Sequence, residues 1–331
     1  MNNADSLRVK ILKTGAIVHG DVSIDGCGKK GLRVVTHAHA DHYKGIGSSI
    51  SYSRRITATP ETFAILEGLN IEVPSNKRTP LQIGGSLKWG SLRISFLKAE
   101  HIPGTASVVL EDEEGNRIGY TSDFKLEGTD VIDEPDILVI DATYGSPSHV
   151  RTWSNADVID EILALYGRIK GKLWIYGYYG KIQGFLLKLR EEGLRDPVIM
   201  TSKMYRITHR LSSLDKGFGE FFLYGTKEAK EILKGKPIIF DHATNFYRYR
   251  STRGGVHLLL NGWEFRKPMV EIDKDTYVAS YSDHSDYMGT LRYVEESRPK
   301  LVVVDASRSE YAAFFAFMAR KKLGVNAITL P

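Results

Sequence analysis

Thr36-His37-Ala38-His39-Ala40-Asp41-His42 is the stretch on which the fold turns. Leu32 to Val35, just before it, is apolar and β-branched enough to predict a strand. Tyr43-Lys44-Gly45-Ile46-Gly47, just after it, breaks into a loop or a helix start. Three imidazoles and a carboxylate within six residues are poor packing residues, because His and Asp crowd a turn only where something satisfies them. Imidazole nitrogen with carboxylate oxygen is the donor set of zinc and its neighbours. On an extended backbone His37 and His39 point the same way and can chelate one ion. Asp41 and His42 come round the following turn and can reach a second. The stretch predicts a metal site.

The rest of the composition says what surrounds such a site. A chain of 331 residues, 42% of them hydrophobic, can bury a full core and is long enough for one large or two joined domains. It has no N-terminal apolar segment of the signal type and no apolar run of membrane-spanning length, so no membrane association is expected. A single cysteine, Cys27, rules out an intramolecular disulfide and fits a reducing, cytoplasmic setting. The net charge of +5 is unevenly spread. Residues 151–270 hold 21 Lys+Arg against 12 Asp+Glu, a net +9, which leaves −4 for the remainder. A basic middle on a near-neutral body points to a polyanionic substrate.

Working outward, residues 61–69 read as a short helix, with Phe63, Leu66 and Leu69 at helical spacing. Leu92–Leu97, Ser107–Glu111 and Arg117–Thr121 read as a meander of strands. At the ends of these strands sit His101, in Glu100-His101-Ile102-Pro103-Gly104, and Asp123, in Thr121-Ser122-Asp123-Phe124. Ile137–Ile140 then runs as a buried strand into Asp141-Ala142-Thr143-Tyr144-Gly145. From about residue 150 the texture changes to alternating helix and strand, which predicts a parallel α/β sheet. Ser154 caps a helix with a stripe of Val158, Ile159, Ile162, Leu163, Tyr166 and Ile169. Leu173–Tyr176 is a strand running into Gly177-Tyr178-Tyr179-Gly180-Lys181, and Tyr281-Ser282-Asp283-His284-Ser285-Asp286 opens a later helix.

The series His37-Ala38-His39-Ala40-Asp41-His42, then His101, then Asp123, resembles the metal-ligand series of the metallo-β-lactamase fold, an αββα sandwich. Asp141 before an α/β insertion and His284 after it resemble the β-CASP nuclease branch. Gly177 to Lys181, Asn261-Gly262-Trp263 and Tyr281 to Ser285 are similar to the Artemis- and Pso2-like DNA-repair nucleases. The resemblance implies a metallo-β-lactamase domain over residues 1–150, a β-CASP insertion over 151–270, and a closing part of the first domain over 271–331. It also implies one metal on His37, His39 and His101, and a second on Asp41 and His42 with Asp123 bridging. Zinc is the expected ion, one or two per chain, with Mn or Mg at the second site as alternatives. In the family His284 is similar to the residue that protonates the leaving oxygen, oriented by the carboxylate at Asp141, so Asp41, Asp123, Asp141 and His284 are the expected catalytic residues.

One departure narrows the branch. RNA-processing β-CASP enzymes end in a strand followed by His, whereas here Leu301–Val304 is followed by Asp305-Ala306-Ser307 and no His occurs between His284 and Pro331. The second site then lacks that terminal imidazole unless Asp305 substitutes, which resembles the DNA-acting branch. For substrate grip, Phe246-Tyr247-Arg248-Tyr249-Arg250-Ser251-Thr252-Arg253 interleaves aromatics with arginines. Base stacking is worth ~1–3 kcal/mol per base, and Arg adds phosphate contacts, so Tyr247, Arg248 and Arg250 are candidate contacts. The same run also reads as a surface strand with snorkelling arginines. Lys181, at a helix start after Gly180, is a candidate phosphate site. Ser285 falls where Artemis relatives bind a 5′-terminal phosphate, and Asp286 would weaken such a pocket. The sequence therefore predicts a metal-dependent nuclease acting on DNA rather than RNA, of the 5′-exonuclease kind. An RNA-processing β-CASP ribonuclease and a catalytically silent nucleic-acid-binding scaffold are the alternatives. Protein partners cannot be read from it.

Overall fold

Short β-branched runs in the first 150 residues pair into two sheets. In the computed structural model, which describes residues 9–214 and 217–331, one sheet has six strands, running from Lys10–Ile11 through Ile17–His19, Val22–Ile24, Leu32–Val34 and Arg55–Ala58 to Arg78–Pro80. The other has seven, with Leu92–Lys98, Ala106–Glu111, Arg117–Tyr120, Ile137–Ile140, Leu301–Asp305 and Ala327–Leu330 among them. Alternation aims Ile17, Val22, Ile24, Leu32 and Val34 of the first sheet at Ile94, Phe96, Val108, Leu110 and Val139 of the second, forming one continuous core. The second sheet's other face carries Leu138, Ile140, Val302 and Val304. It is covered by Tyr287, Leu291 and Val294 of the helix Tyr287–Ser297 and by Phe315, Ala316 and Ala319 of the helix Ala312–Leu323. Ile137–Ile140 pairs in parallel with Leu301–Val304, so the chain's last segment completes the sheet begun before residue 150.

The described residues divide into two units. The first takes the chain up to Phe63, Glu72–Val150 and His284–Pro331; the second takes Ala64–Ile71 and Arg151–Asp283. The second unit's sheet has the order Phe221–Leu223, Val198–Met200, Ile238–His242, Leu173–Gly177, Val256–Leu260, Thr276–Ala279, Met269–Asp273. Every pairing in it is parallel except the last. The helix Asn155–Arg168 opens on a capping box between Ser154 and Asp157 and buries Val158, Ile159, Ile162 and Leu165, with Leu165 rather than Leu163 completing the stripe. The second unit runs on to Asp283 instead of closing at 270. The physical reason is that Thr276–Ala279 pairs with Val256–Leu260 and Met269–Asp273 pairs with Thr276–Ala279, and a sheet cannot be cut between paired strands. Among the described residues, no helix is long and apolar enough to cross a membrane.

Candidate metal centre

Each cluster residue lies where a strand of the first unit ends. Leu32–Val34 leads into the loop 36–42, which turns back on itself through His42 N–H and Tyr43 N–H donating to the His39 carbonyl at 3.0 and 3.1 Å. His101 follows Leu92–Lys98, and Asp123 follows Arg117–Tyr120. The two loops are tied by a bridge between Glu100 and Lys125. Polar side chains gather there because beyond the ladders the backbone turns and side chains are free to converge on one point.

His37, His39, His101 and Asp123 each offer a donor atom within 4.8 Å of the others. His101 Nε2 and His39 Nδ1 are 3.0 Å apart, and Asp123 Oδ2 lies 3.5 Å from His37 Nε2 and 3.6 Å from His101 Nε2. His42 Nε2 stands 3.1 Å from Asp41 Oδ2 and 3.2 Å from Asp123 Oδ1, so Asp123 touches both halves of the cluster. Asp123, Asp141 and His284 form a second donor group. His284 Nδ1 is 3.0 Å from Asp141 Oδ2, and its Nε2 is 4.0 Å from Asp123 Oδ2.

Burial and neighbouring charge set the protonation. Burial, then the charge of His42, holds His37 well below the ordinary imidazole value, and burial with His101 pushes His39 down to about 3. Burial opposes charge on His42 as well, but Asp123 and Asp25 outweigh it and raise that ring well above the ordinary value. Burial would lift Asp123 too, yet His42 and His37 hold it well below the usual carboxylate range. The arrangement fits a divalent ion. Neutral imidazoles and an ionised carboxylate are the required ligand forms, and the fully buried His37 Nε2 has no hydrogen-bond partner.

Several residues that shape the site escaped the sequence reading. Asp25, fully buried at φ 52°, is 2.7 Å from His42 Nδ1 and accepts from Thr36 N–H and Thr36 Oγ1 at 2.9 and 2.8 Å. It fixes the ring orientation of His42 from behind. Ser122 donates to Thr36 Oγ1 at 2.7 Å and sits 3.2 Å from His37 Nδ1. Arg33, fully buried, donates to the carbonyls of His42 and Lys44 at 2.8 and 3.3 Å and so braces the loop. Thr143 donates its N–H and hydroxyl to Asp141 Oδ1 at 2.9 and 2.8 Å, which leaves Oδ2 for His284. Only the spacing of Thr143 from Asp141 hinted at this, as an Asx-type turn.

Other expected residues sit differently. Asp305 does not substitute for the absent histidine, because its carboxylate accepts from Ser307 and from Arg308 at 2.8 Å. Arg308 in turn lies 3.4 Å from the exposed Asp41 and donates to Tyr120 and to the Gly15 carbonyl. Lys181 does begin a helix, but its ammonium is 3.3 Å from Asp283 and donates to the Tyr281 carbonyl, so its charge is spent within the second unit. Ser285 is buried and its Oγ accepts from Leu126 N–H at 2.7 Å, while Asp286 caps the helix that follows. Phe246–Tyr249 is a helical turn rather than a strand, with Tyr247 and Arg248 exposed, Arg250 3.8 Å from Asp273, and Arg253 bound to Asp241 over the Trp174 ring.

A β-sandwich with His and Asp donors gathered at its strand ends defines a metallohydrolase fold, and the comparisons agree. Residues 32–176 match the β-lactamase superfamily domain. An uncharacterised protein in the lig 3′ region of Acidianus ambivalens is 34% identical over 124 residues, 35% of this chain and 84% of that one. A probable DNA ligase of Opitutus terrae is 26% identical over 220 residues, covering 63% of this chain. The 5′ exonuclease Apollo of Danio rerio is 23% identical over 286 residues, 81% of this chain. The chain spans 21% of the ligase and 47% of the exonuclease. Proteins named as ribonucleases, from Thermus thermophilus and Methanocaldococcus jannaschii, are similar over shorter stretches. The chain belongs to the metallo-β-lactamase superfamily, in its β-CASP nuclease branch. Membership implies use of a divalent metal.

Proposed function

We propose that this chain is a zinc-dependent nuclease that hydrolyses phosphodiester bonds of DNA. The observation that carries the reading is His284, held through Nδ1 by Asp141 at 3.0 Å and turned through Nε2 toward Asp123. A polarised imidazole beside a cluster of metal donors is what in-line displacement at phosphorus needs. A bound divalent ion supplies a polarised phosphoryl oxygen and an acidified water. His37, His39, His101 and Asp123 would hold that ion, with Asp41 and His42 the donors for a second, whose binding would displace the proton that Asp123 and Asp25 favour on His42. His284, with Nδ1–H given to Asp141, keeps Nε2 as the nitrogen that hands a proton to the leaving oxygen. Asp141 stabilises the charged ring, and Thr143 keeps Asp141 in place.

The names of two relatives support DNA over RNA, since a probable DNA ligase and a DNA cross-link repair 1A protein are similar over 63% and 85% of this chain. The lack of a histidine after Leu301–Asp305 favours the same choice. A ribonuclease would share every catalytic residue and is the second reading, motivated by the ribonuclease relatives. The single cysteine is consistent with work in the reducing cytoplasm. End-labelled single strands of DNA and RNA, with and without a 5′-phosphate, assayed across Zn²⁺, Mn²⁺ and Mg²⁺, test the proposal. Metal-dependent loss of nucleotides from DNA supports it, and cleavage of RNA alone replaces it with the second reading.

A further inference from the structure

The second unit has a feature that the catalytic cluster does not use. Six of its strands run parallel, so their carboxyl ends lie along one edge of the sheet. In open parallel sheets that edge is where ligands bind. Among the described residues of this unit, four aromatic side chains are exposed beyond 40%: Tyr178 at 54%, Tyr224 at 44%, Tyr247 at 74% and Trp263 at 52%. Each of them follows the carboxyl end of a different parallel strand. Tyr178 comes directly after Leu173–Gly177, and Tyr224 directly after Phe221–Leu223. Trp263 follows Val256–Leu260, and Tyr247 sits on the helical turn reached from Ile238–His242 through Ala243–Asn245. Aromatic exposure that served only as packing leftover would be scattered over the unit, not confined to one edge.

The rings are also braced. Tyr178 stands edge-on to His242 at 5.3 Å, and His242 stacks on Tyr179 at 6.1 Å and 23°. Tyr224 leans on Trp174 at 5.7 Å. A ring already held from one side loses little freedom when something covers its other face. Exposed Lys203 and Arg248 stand among these strand ends, in a segment that carries net +9 over residues 151–270. Flat π-faces interleaved with cations suit unpaired nucleobases on a phosphate backbone, because each base stacks while its phosphate meets positive charge. A duplex hides its base faces and could use only the charge.

We propose that the carboxyl edge of this sheet is a base-stacking platform for single-stranded nucleic acid, with Tyr178 as its best-braced ring. The proposal rests on the reading of the chain as a nuclease. The His284→Ala chain, slowed enough in cleavage that strands stay intact over a titration, is titrated with a labelled oligodeoxynucleotide, an abasic phosphodiester strand of the same length, a blunt duplex and the matching oligoribonucleotide. The base-bearing strand should bind roughly 5- to 150-fold more tightly than the abasic one. Adding Tyr178→Ala should remove most of that margin and leave abasic binding unchanged, while Tyr178→Phe should preserve it. The two oligonucleotide arms show whether the platform takes DNA, RNA or both. Equal binding of base-bearing and abasic strands, duplex binding as tight as single-strand binding, or a Tyr178→Ala loss shared equally by both strands would overturn the platform. If wild-type protein still cleaves in that case, only the platform falls; if it neither binds nor cuts any strand, the nuclease reading falls with it.

Discussion

In the first unit, His37, His39, His101 and Asp123 bring donor atoms within 4.8 Å of one another, and all but His39 are nearly closed off from solvent. In the second unit, the exposed aromatics stand one to a strand end, and the cations beside them are exposed too. Both regions use the ends of strands, where the backbone ladder stops and side chains can face outward. They differ in what the chemistry demands. A metal ion needs several donors at one point, with rings such as His37 and His39 kept neutral by burial, Asp123 kept ionised by the histidines beside it, and the rings held by groups such as Asp25 and Thr36. A strand of nucleic acid needs many weak contacts laid out in a row. Substitutions among the metal donors of the first unit should therefore act steeply and through metal, and those in the second unit should act mildly and through salt or base content.

The steepest expected effect is at Asp123. Its oxygens lie within 4.0 Å of ring nitrogens of His37, His42, His101 and His284. Asp123→Ala should cost most of the bound metal and lower the cleavage rate on the order of 10³-fold or more, given that a metal ion contributes several kcal/mol to such reactions. Elemental analysis beside rate measurement checks this. A variant with a full metal equivalent and a near-normal rate would remove Asp123 from the centre.

His284→Ala comes next. General acid help is typically worth 10²–10⁴-fold. The variant should lose about that much in rate while retaining wild-type metal content, and Asp141→Asn should follow in milder form. Loss of a metal equivalent on His284→Ala would make His284 a ligand instead of a proton donor.

How much of this was legible in the sequence follows the same division. The loop 36–42 announced itself because its donors are adjacent in the chain, and Ile137–Ile140 and Ser154 announced a strand and a cap for equally local reasons. Asp25 did not, because its partners lie at Thr36 and His42 across a turn, and in the sequence it reads as one polar residue among glycines. Arg33 hid inside an apolar strand run although its guanidinium ends at the His42 carbonyl. Residues 246–250 misled for a different reason. Tyr and Arg alternate with period two, as on a strand, yet Arg250 N–H closes a helical turn on the Phe246 carbonyl. Pairing in space, not pattern along the chain, decided those positions. Asp25→Asn makes the point measurable. It keeps the shape and removes the charge behind His42, so metal affinity, read by competition with a chromophoric chelator, should fall about 10- to 100-fold. An unchanged affinity would mean that His42 needs no such support.

The mildest prediction separates two neighbouring arginines. Arg248 is exposed, with its guanidinium 5.1 Å from the Tyr249 ring centroid. Arg250 is half-buried, lies 3.8 Å from Asp273 and rests over Phe246 at 5.6 Å. A cation that touches backbone phosphate releases a counterion on binding, so each such contact steepens the fall of affinity with salt by ~0.7 in log–log slope for a single strand. Arg248→Ala should therefore flatten the slope by about one contact and act alike on base-bearing and abasic strands. Arg250→Ala should flatten it less, because Asp273 already takes part of its charge. That pattern is the reverse of the one expected at Tyr178, where base content matters and salt does not. If Arg250→Ala proves the stronger of the two, the Asp273 pair opens on binding and the helical turn at 246–249 rearranges to release it. If neither variant changes the slope, the basic character of residues 151–270 is a solvated surface, and whatever grips the strand must lie elsewhere.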